Sequence, residues 1–164
     1  MEDEKALIIM VDDSPANLRI IKNVLSEKFI VATAPSAKKL FELLENNYPS
    51  MILLDVFMPE MDGYETIKIL KSKPETKDIP VIFLTACTES DDELKGFSLG
   101  AIDYITKPTH PLLLLKRVEV HLLAEKQRKM LEQQAAELKL YKDNFPMLIK
   151  ENDRDIGVNF DNRD

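Results

Sequence analysis

Met51-Ile52-Leu53-Leu54-Asp55-Val56-Phe57-Met58-Pro59-Glu60-Met61-Asp62-Gly63 decides the fold of this chain. Four apolar residues run straight into a carboxylate, and a loop marked by Pro59 and Gly63 follows. A short apolar run bounded by turn signals fits a strand buried on both faces, as in a parallel sheet. In open α/β sheets ligands bind beyond the carboxyl ends of the strands, which is where Asp55 falls. A carboxylate there is costly to desolvate unless a cation or hydrogen-bond donors meet it.

Working outward, the same apolar-run-then-polar pattern repeats. Ala6–Val11 is an apolar run ending at Asp12-Asp13, and Ser14-Pro15 reads as an N-cap with proline at the first helical position. Leu18, Ile21 and Leu25 follow at helical spacing. Phe29–Ala34 predicts a second strand, and Ser36 caps a helix with Ala37, Leu40, Phe41 and Leu44 on one face. After the opening stretch, Gly63 to about Leu70 predicts a helix with Tyr64, Ile67 and Leu70 inward. Pro80–Thr85 is strand four, apolar until Thr85; Ser90–Glu93 reads as a capping box and Gly100 closes that helix. Ile102–Ile105 makes a fifth strand before Lys107-Pro108. Strand and helix alternate five times, which calls for a parallel sheet with helices on both faces.

From Pro111 the pattern becomes one long helix. Leu112–Leu115, Val118, Leu122 and Leu123 are expected to dock on the sheet; past Glu125 the sequence is polar but helix-favouring up to Pro146. A helix from Pro111 to Asn144 spans about 50 Å at ~1.5 Å per residue, so its second half is expected to leave a domain roughly 30 Å across. Ala124, Leu131, Leu138 and Phe145 recur every seven residues there, with Ala135 between, which predicts a coiled-coil seam. Lys150–Asp164 is charged and reads as frayed, or as the start of a following region.

Composition bounds the function. The 164 residues suit one domain with an appendage, and 45% apolar residues suffice for a globular core. A net charge of −7 argues against a surface that neutralises nucleic-acid phosphates. No apolar run approaches the roughly 18 residues that span a bilayer, and Met1–Lys5 is too acidic for a signal peptide. The single Cys87 excludes an internal disulfide framework, so a cytoplasmic protein is expected.

The carboxyl ends of strands one, three, four and five carry distinct groups: Asp12 and Asp13, then Asp55, Thr85 and Lys107. In a sheet of order 2-1-3-4-5, strands one, three, four and five are neighbours, and these groups meet in one crevice. Three carboxylates suit a hard cation that keeps several waters, which describes Mg²⁺ better than Ca²⁺ or Zn²⁺. A lysine and a hydroxyl facing the same point complete a phosphoryl-binding site, in which a carboxylate can itself be the nucleophile. His110 and His121 stand apart from the acids.

Asp12-Asp13-Ser14-Pro15, Leu54-Asp55-Val56-Phe57-Met58-Pro59, Met61-Asp62-Gly63, Thr85-Ala86 and Gly100-Ala101-Ile102-Asp103-Tyr104-Ile105-Thr106-Lys107-Pro108 resemble, in order and spacing, the receiver domain of two-component response regulators. The resemblance covers roughly residues 5–125, leaving 126–145 as a helical linker and 146–164 as a tail. It implies a flavodoxin-like, doubly wound five-stranded sheet, and the order 2-1-3-4-5 is taken from the family. It further implies that Asp55 accepts a phosphoryl group from a sensor histidine kinase or phosphotransfer protein. Asp13, Asp55 and the Phe57 carbonyl would ligate Mg²⁺, with Asp12 assisting through water. Lys107 and Thr85 would meet phosphoryl oxygens, and Thr85 and Tyr104 would form the switch pair, read on the face made by the helix that Gly100 closes, the fifth strand and the long last helix. A cis Lys107-Pro108 bond is also implied, and the chain would act as a phosphoacceptor, catalysing only its own phosphorylation and dephosphorylation. A homodimer is expected through the C-terminal helix or through that same face.

Three rival readings make different demands. A haloacid-dehalogenase-like phosphatase wants a second acid two residues after the nucleophile, where Phe57 stands. A flavin or nucleotide binder wants Gly, Ser or Thr amides in the first loop, where Asp12-Asp13 would repel a phosphate. An adaptor with a vestigial pocket would have lost one or more of the five site groups. Cys87 reads as a bystander thiol sooner than as one that modulates water access to the phosphate, and Phe57 at the rim as either exposed loop packing or a cover that slows hydrolysis.

Overall fold

The computed structural model describes residues 5–86 and 90–145, leaving aside the side chains of 90–93. The elements run β1 (Leu7–Val11), α1 (Pro15–Leu25), β2 (Ile30–Ala34), α2 (Ala37–Leu44), β3 (Met51–Leu54), α3 (Gly63–Ser72), β4 (Val81–Thr85), α4 (Ser90–Ser98), β5 (Asp103–Thr106) and α5 (Pro111–Asn144). All strand pairs are parallel, and the sheet order is β2-β1-β3-β4-β5. The five βα alternations expected from sequence are all present, with strand ends shifted by a residue: β5 starts at Asp103 rather than Ile102 and ends at Thr106. The expectations for Cys87, for the Ser90–Glu93 capping box and for the tail lie outside the described residues.

The sheet buries both faces because its inner strands are apolar at consecutive positions. Ile9, Val11, Ile52, Leu54, Val81, Phe83 and Tyr104 pack with Leu40 of α2 and Tyr64, Ile67 and Leu70 of α3. The alternate residues Ile8, Met10, Leu53, Ile82, Leu84 and Ile105 pack with Ile21 and Leu25 of α1 and Leu114, Leu115 and Val118 of α5. Each such side chain contributes about 1.5–3 kcal/mol by leaving water. Caps fix the helix starts: Ser14 and Ser36 accept from Asn17 and Lys39 N–H groups, and Asp62 with Glu65 forms a capping box on α3.

Within α5, Leu112, Leu113 and Leu123 are exposed, contrary to the expectation that the whole leucine run docks. Four consecutive residues span more than a full helical turn, so only Leu114, Leu115, Val118 and Leu122 can face one sheet. By its internal contacts the chain forms two units, Met1–Leu122 and Leu123–Asp164. In the second, every described residue from Lys126 to Phe145 is exposed. Arg128 there pairs with Glu125 and Glu132, and the Tyr141 and Phe145 rings lie 5.2 Å apart. Among the described residues no helix is long and apolar enough to cross a membrane. The Lys107-Pro108 peptide bond is cis, as the resemblance implied.

Candidate functional site

The parallel register brings the strand ends together. Val11 pairs with Leu54 and Leu54 with Phe83, so the residues that follow, Asp12 and Asp55, emerge side by side at one edge. Thr85 pairs with Thr106, and the Lys107 N–H donates to the Thr85 carbonyl at 2.7 Å. Strand ends four and five are thereby tied directly beneath the Lys107 side chain.

Lys107 Nζ bridges the two buried acids, in a close ion pair with Asp12 Oδ2 and 3.2 Å from Asp55 Oδ2. Asp12 is 1% exposed and Asp55 7%, whereas Asp13 is exposed. Oxygens of Asp12, Asp13 and Asp55 lie within 4.8 Å of one another. Three carboxylates against one ammonium leave an excess of two negative charges, which a divalent cation would neutralise. The donor set is all oxygen and partly open to solvent through Asp13, which fits a hard cation that retains water. These residues fit the magnesium that the resemblance implied.

Burial pushes the Asp55 carboxyl above its ordinary value of 3.8, and the negative charge of Asp12 adds to this. The Lys107 ammonium and the Phe57 N–H, which donates to Asp55 Oδ1 at 3.4 Å, oppose it without cancelling it. Phe57 itself is 58% exposed at the rim. Thr85 is wholly buried at the end of β4. Tyr104 is also buried, its ring edge-on to Phe83 at 5.9 Å; Phe83 in turn packs edge-on to Tyr64 at 5.4 Å. This aromatic stack joins β5 to α3 through the strand that carries Thr85.

Two features of the site carry no obvious sequence signal. Asn17 Nδ2 donates to Asp12 Oδ2 at 3.1 Å and reaches Oδ1 at 3.4 Å, while the Ser14 N–H takes Oδ1 at 2.8 Å. Asn17 follows the Ser14 cap by three residues, so the cap was legible but the reach back to Asp12 was not. Gly63, the first residue of α3, lies directly against the Asp55–Val56 backbone, and a Cβ there would stand 2.3 Å from the Asp55 carbonyl oxygen. The histidines do stand apart: His110 Nδ1 accepts from the Leu112 N–H at the start of α5, and His121 meets Asp103 at 2.9 Å. Burial pushes the Asp103 carboxyl up, but the His121 hydrogen bond, the Tyr104 N–H and Arg117 together hold it below its ordinary value. Beside the acids lies a cleft of about 410 Å³ lined by Asn17, Ile20, Val24, Lys107, Pro108 and Leu114.

The sequence profile described as "Response regulator receiver domain" matches residues 8–119. The chain belongs to the response regulator receiver domain family. It is 42% identical over 132 residues to a "Probable cyclic di-GMP phosphodiesterase" of Vibrio cholerae, covering 80% of this chain and 30% of that protein. It is 39% identical over 114 residues to the "Response regulator PleD" of Caulobacter vibrioides, covering 69% of this chain and 25% of that one. The chain therefore spans less than a third of the length of either relative. Among solved structures, the "BeF3 Activated DrrB Receiver Domain" superposes with a TM-score of 0.65 at 33% identity, covering 73% of this receiver domain chain and 98% of that one.

Proposed function

We propose that this receiver domain takes a phosphoryl group onto Asp55 from the phosphohistidine of a sensor histidine kinase or phosphotransfer protein, in a reaction that needs Mg²⁺. The observation that carries this reading is the Lys107 ammonium held between Asp12 and Asp55 within a net-negative crevice. A second support is the apolar cleft beside it, with Ile20 55% exposed, which offers a donor protein surface to bury. In the transfer, the P–N bond to the donor imidazole breaks and a P–O bond to an Asp55 carboxylate oxygen forms. The imidazole nitrogen keeps the electron pair.

Asp13, Asp55 and the Phe57 carbonyl would hold the magnesium, with Asp12 acting through water. Bound there, Mg²⁺ supplies charge neutralisation for the transferring group. Lys107 meets a phosphoryl oxygen, and Thr85 donates its hydroxyl to another. Tyr104 is the second member of the switch, and the change is read on the α4-β5-α5 face, where Leu94 and Phe97 are exposed. The chain catalyses only its own phosphorylation and dephosphorylation, and it works in the cytoplasm without binding nucleic acid or membrane. Residues 5–125 form the receiver, 126–145 a helical linker and 146–164 the tail.

A second copy of the chain is the other partner, met through the C-terminal helix or the α4-β5-α5 face. Most helical stability in proteins comes from packing of an apolar face, and residues 126–145 bury nothing of their own. Leu131, Leu138 and Phe145 stand 66%, 55% and 50% exposed at seven-residue intervals, the pattern of a seam that a second helix would cover. Incubation with Mg²⁺ and acetyl phosphate should label Asp55, and Asp55→Asn should abolish the label. Undiminished labelling elsewhere in that variant, located by mass spectrometry, would overturn the assignment.

A further inference from the structure

We infer that Asn17 is a positioning residue of the phosphorylated state: it holds the Asp12 carboxylate in place once Lys107 is drawn away to the phosphoryl group. The inference rests on the phosphoacceptor reading of Asp55.

Asp12 is 1% exposed, and its oxygens have three donors among the described residues. The Ser14 N–H takes Oδ1, Asn17 Nδ2 spans Oδ2 and Oδ1 at 3.1 and 3.4 Å, and Lys107 shares Oδ2 with Asn17. Lys107 also reaches Asp55 at 3.2 Å, so its charge is divided between two acids. A phosphoryl group on Asp55 brings more negative charge to that side, and the ammonium follows it. Asp12 then keeps a buried negative charge with one protein donor fewer, beside the water through which it would act on the magnesium, an arrangement that is costly unless another donor remains on the oxygen that Lys107 leaves. Asn17 is that donor, on the same oxygen that Lys107 leaves.

The local sequence makes this possible. Ser14 is the N-cap of α1 and Asn17 is the third helical residue, its N–H donating to Ser14 Oγ at 3.4 Å. That position commonly carries Glu or Gln reaching back to the cap. Here the shorter neutral amide reaches Asp12 instead. A glutamate would set a fourth carboxylate against Asp12, Asp13 and Asp55 and repel the incoming phosphoryl group.

The test measures two affinities on the full chain: Mg²⁺ for the unmodified protein, and beryllofluoride, a phosphoryl mimic, in saturating Mg²⁺. In Asn17→Ala, Lys107 still holds Asp12 before modification, so Mg²⁺ affinity should stay within about threefold of wild type. Beryllofluoride affinity should fall by about tenfold or more, the effect of losing a hydrogen bond to a charged group. Asn17→Asp, which keeps the shape but loses both N–H donors, should lose at least as much. Thermal unfolding of unmodified Asn17→Ala should stay close to wild type, separating this role from capping of α1. Equal losses of both affinities, or no loss of the mimic, would overturn the assignment of Asn17. Failure of wild type itself to bind beryllofluoride with Mg²⁺ would instead overturn the phosphoacceptor reading on which it rests.

Discussion

Gly63→Ala should injure both the fold and the chemistry, because the first residue of α3 lies on the peptide that carries Asp55, the proposed phosphoacceptor. The added methyl would stand 2.3 Å from the Asp55 carbonyl oxygen, 2.8 Å from Val56 Cα and 3.1 Å from the Asp55 carbonyl carbon. Since Cβ contacts below 3.0 Å essentially never occur, the oxygen must retreat by about 0.7 Å. It is not free to do so cheaply. The Asp55 N–H donates to Val11, the Gly63 N–H donates to Val56, and Val56 is 1% exposed. Overpacking of this kind costs about 1–3 kcal/mol, which lowers the melting temperature by about 4–12 °C at roughly 4 °C per kcal/mol for a domain of this size. Displacing a reacting group by about 1 Å can cost ~100-fold in rate, so labelling of Asp55 should slow by about 10- to 100-fold. Gly96→Ala is the control. The nearest neighbours of its methyl would be the ring edges of the buried Tyr104 and Phe83, at 3.0 to 3.3 Å, so a shift of a few tenths of an ångström suffices where Gly63 needs about 0.7 Å. It also gains about 1 kcal/mol of helix propensity within α4. Thermal melts followed by circular dichroism and acetyl-phosphate labelling read both effects. A Gly63→Ala protein that melts within a degree of wild type and labels at the wild-type rate would refute the reasoning.

Asp55→Asn should stabilise the metal-free protein at neutral pH and flatten its pH dependence. The Asp55 carboxyl is raised above 3.8 in the folded state, chiefly by burial, so the native state favours the protonated form. The stability this contributes is present below 3.8 and is lost as pH rises through the folded value. Melting curves from pH 3 upward, with and without Mg²⁺, check the sign; a variant less stable than wild type at neutral pH without metal would contradict it. For the linker, Leu131→Glu with Leu138→Glu should leave the melting of residues 5–125 unchanged while weakening self-association in beryllofluoride about tenfold or more. Sedimentation at matched concentrations checks this, and unaltered association would remove the helical seam as the contact.

The fold was legible in the sequence because parallel strands buried on both faces must be apolar at every position. Met51–Leu54 and Val81–Leu84 therefore announce themselves without any knowledge of their neighbours. Ser14-Pro15 and Ser36 marked helix starts for an equally local reason, since a cap bonds within one turn of itself. Asp12, Asp55, Thr85 and Lys107 could be named for the same reason, since each directly follows or ends a strand, whereas the roles of Phe57 and Tyr104 came from the family resemblance. Leu112 and Leu113 were misjudged because composition does not say which side of a helix meets the sheet. Only the tertiary structure set Lys107 between Asp12 and Asp55, residues distant in sequence whose encounter depends on strand register. Asn17's hold on Asp12 and Gly63's contact with the Asp55 peptide belong to the same class. A cap or an apolar run depends on the residues beside it. Which donor satisfies a buried carboxylate depends on what packing brings within about 3 Å, and sequence spacing does not contain that distance.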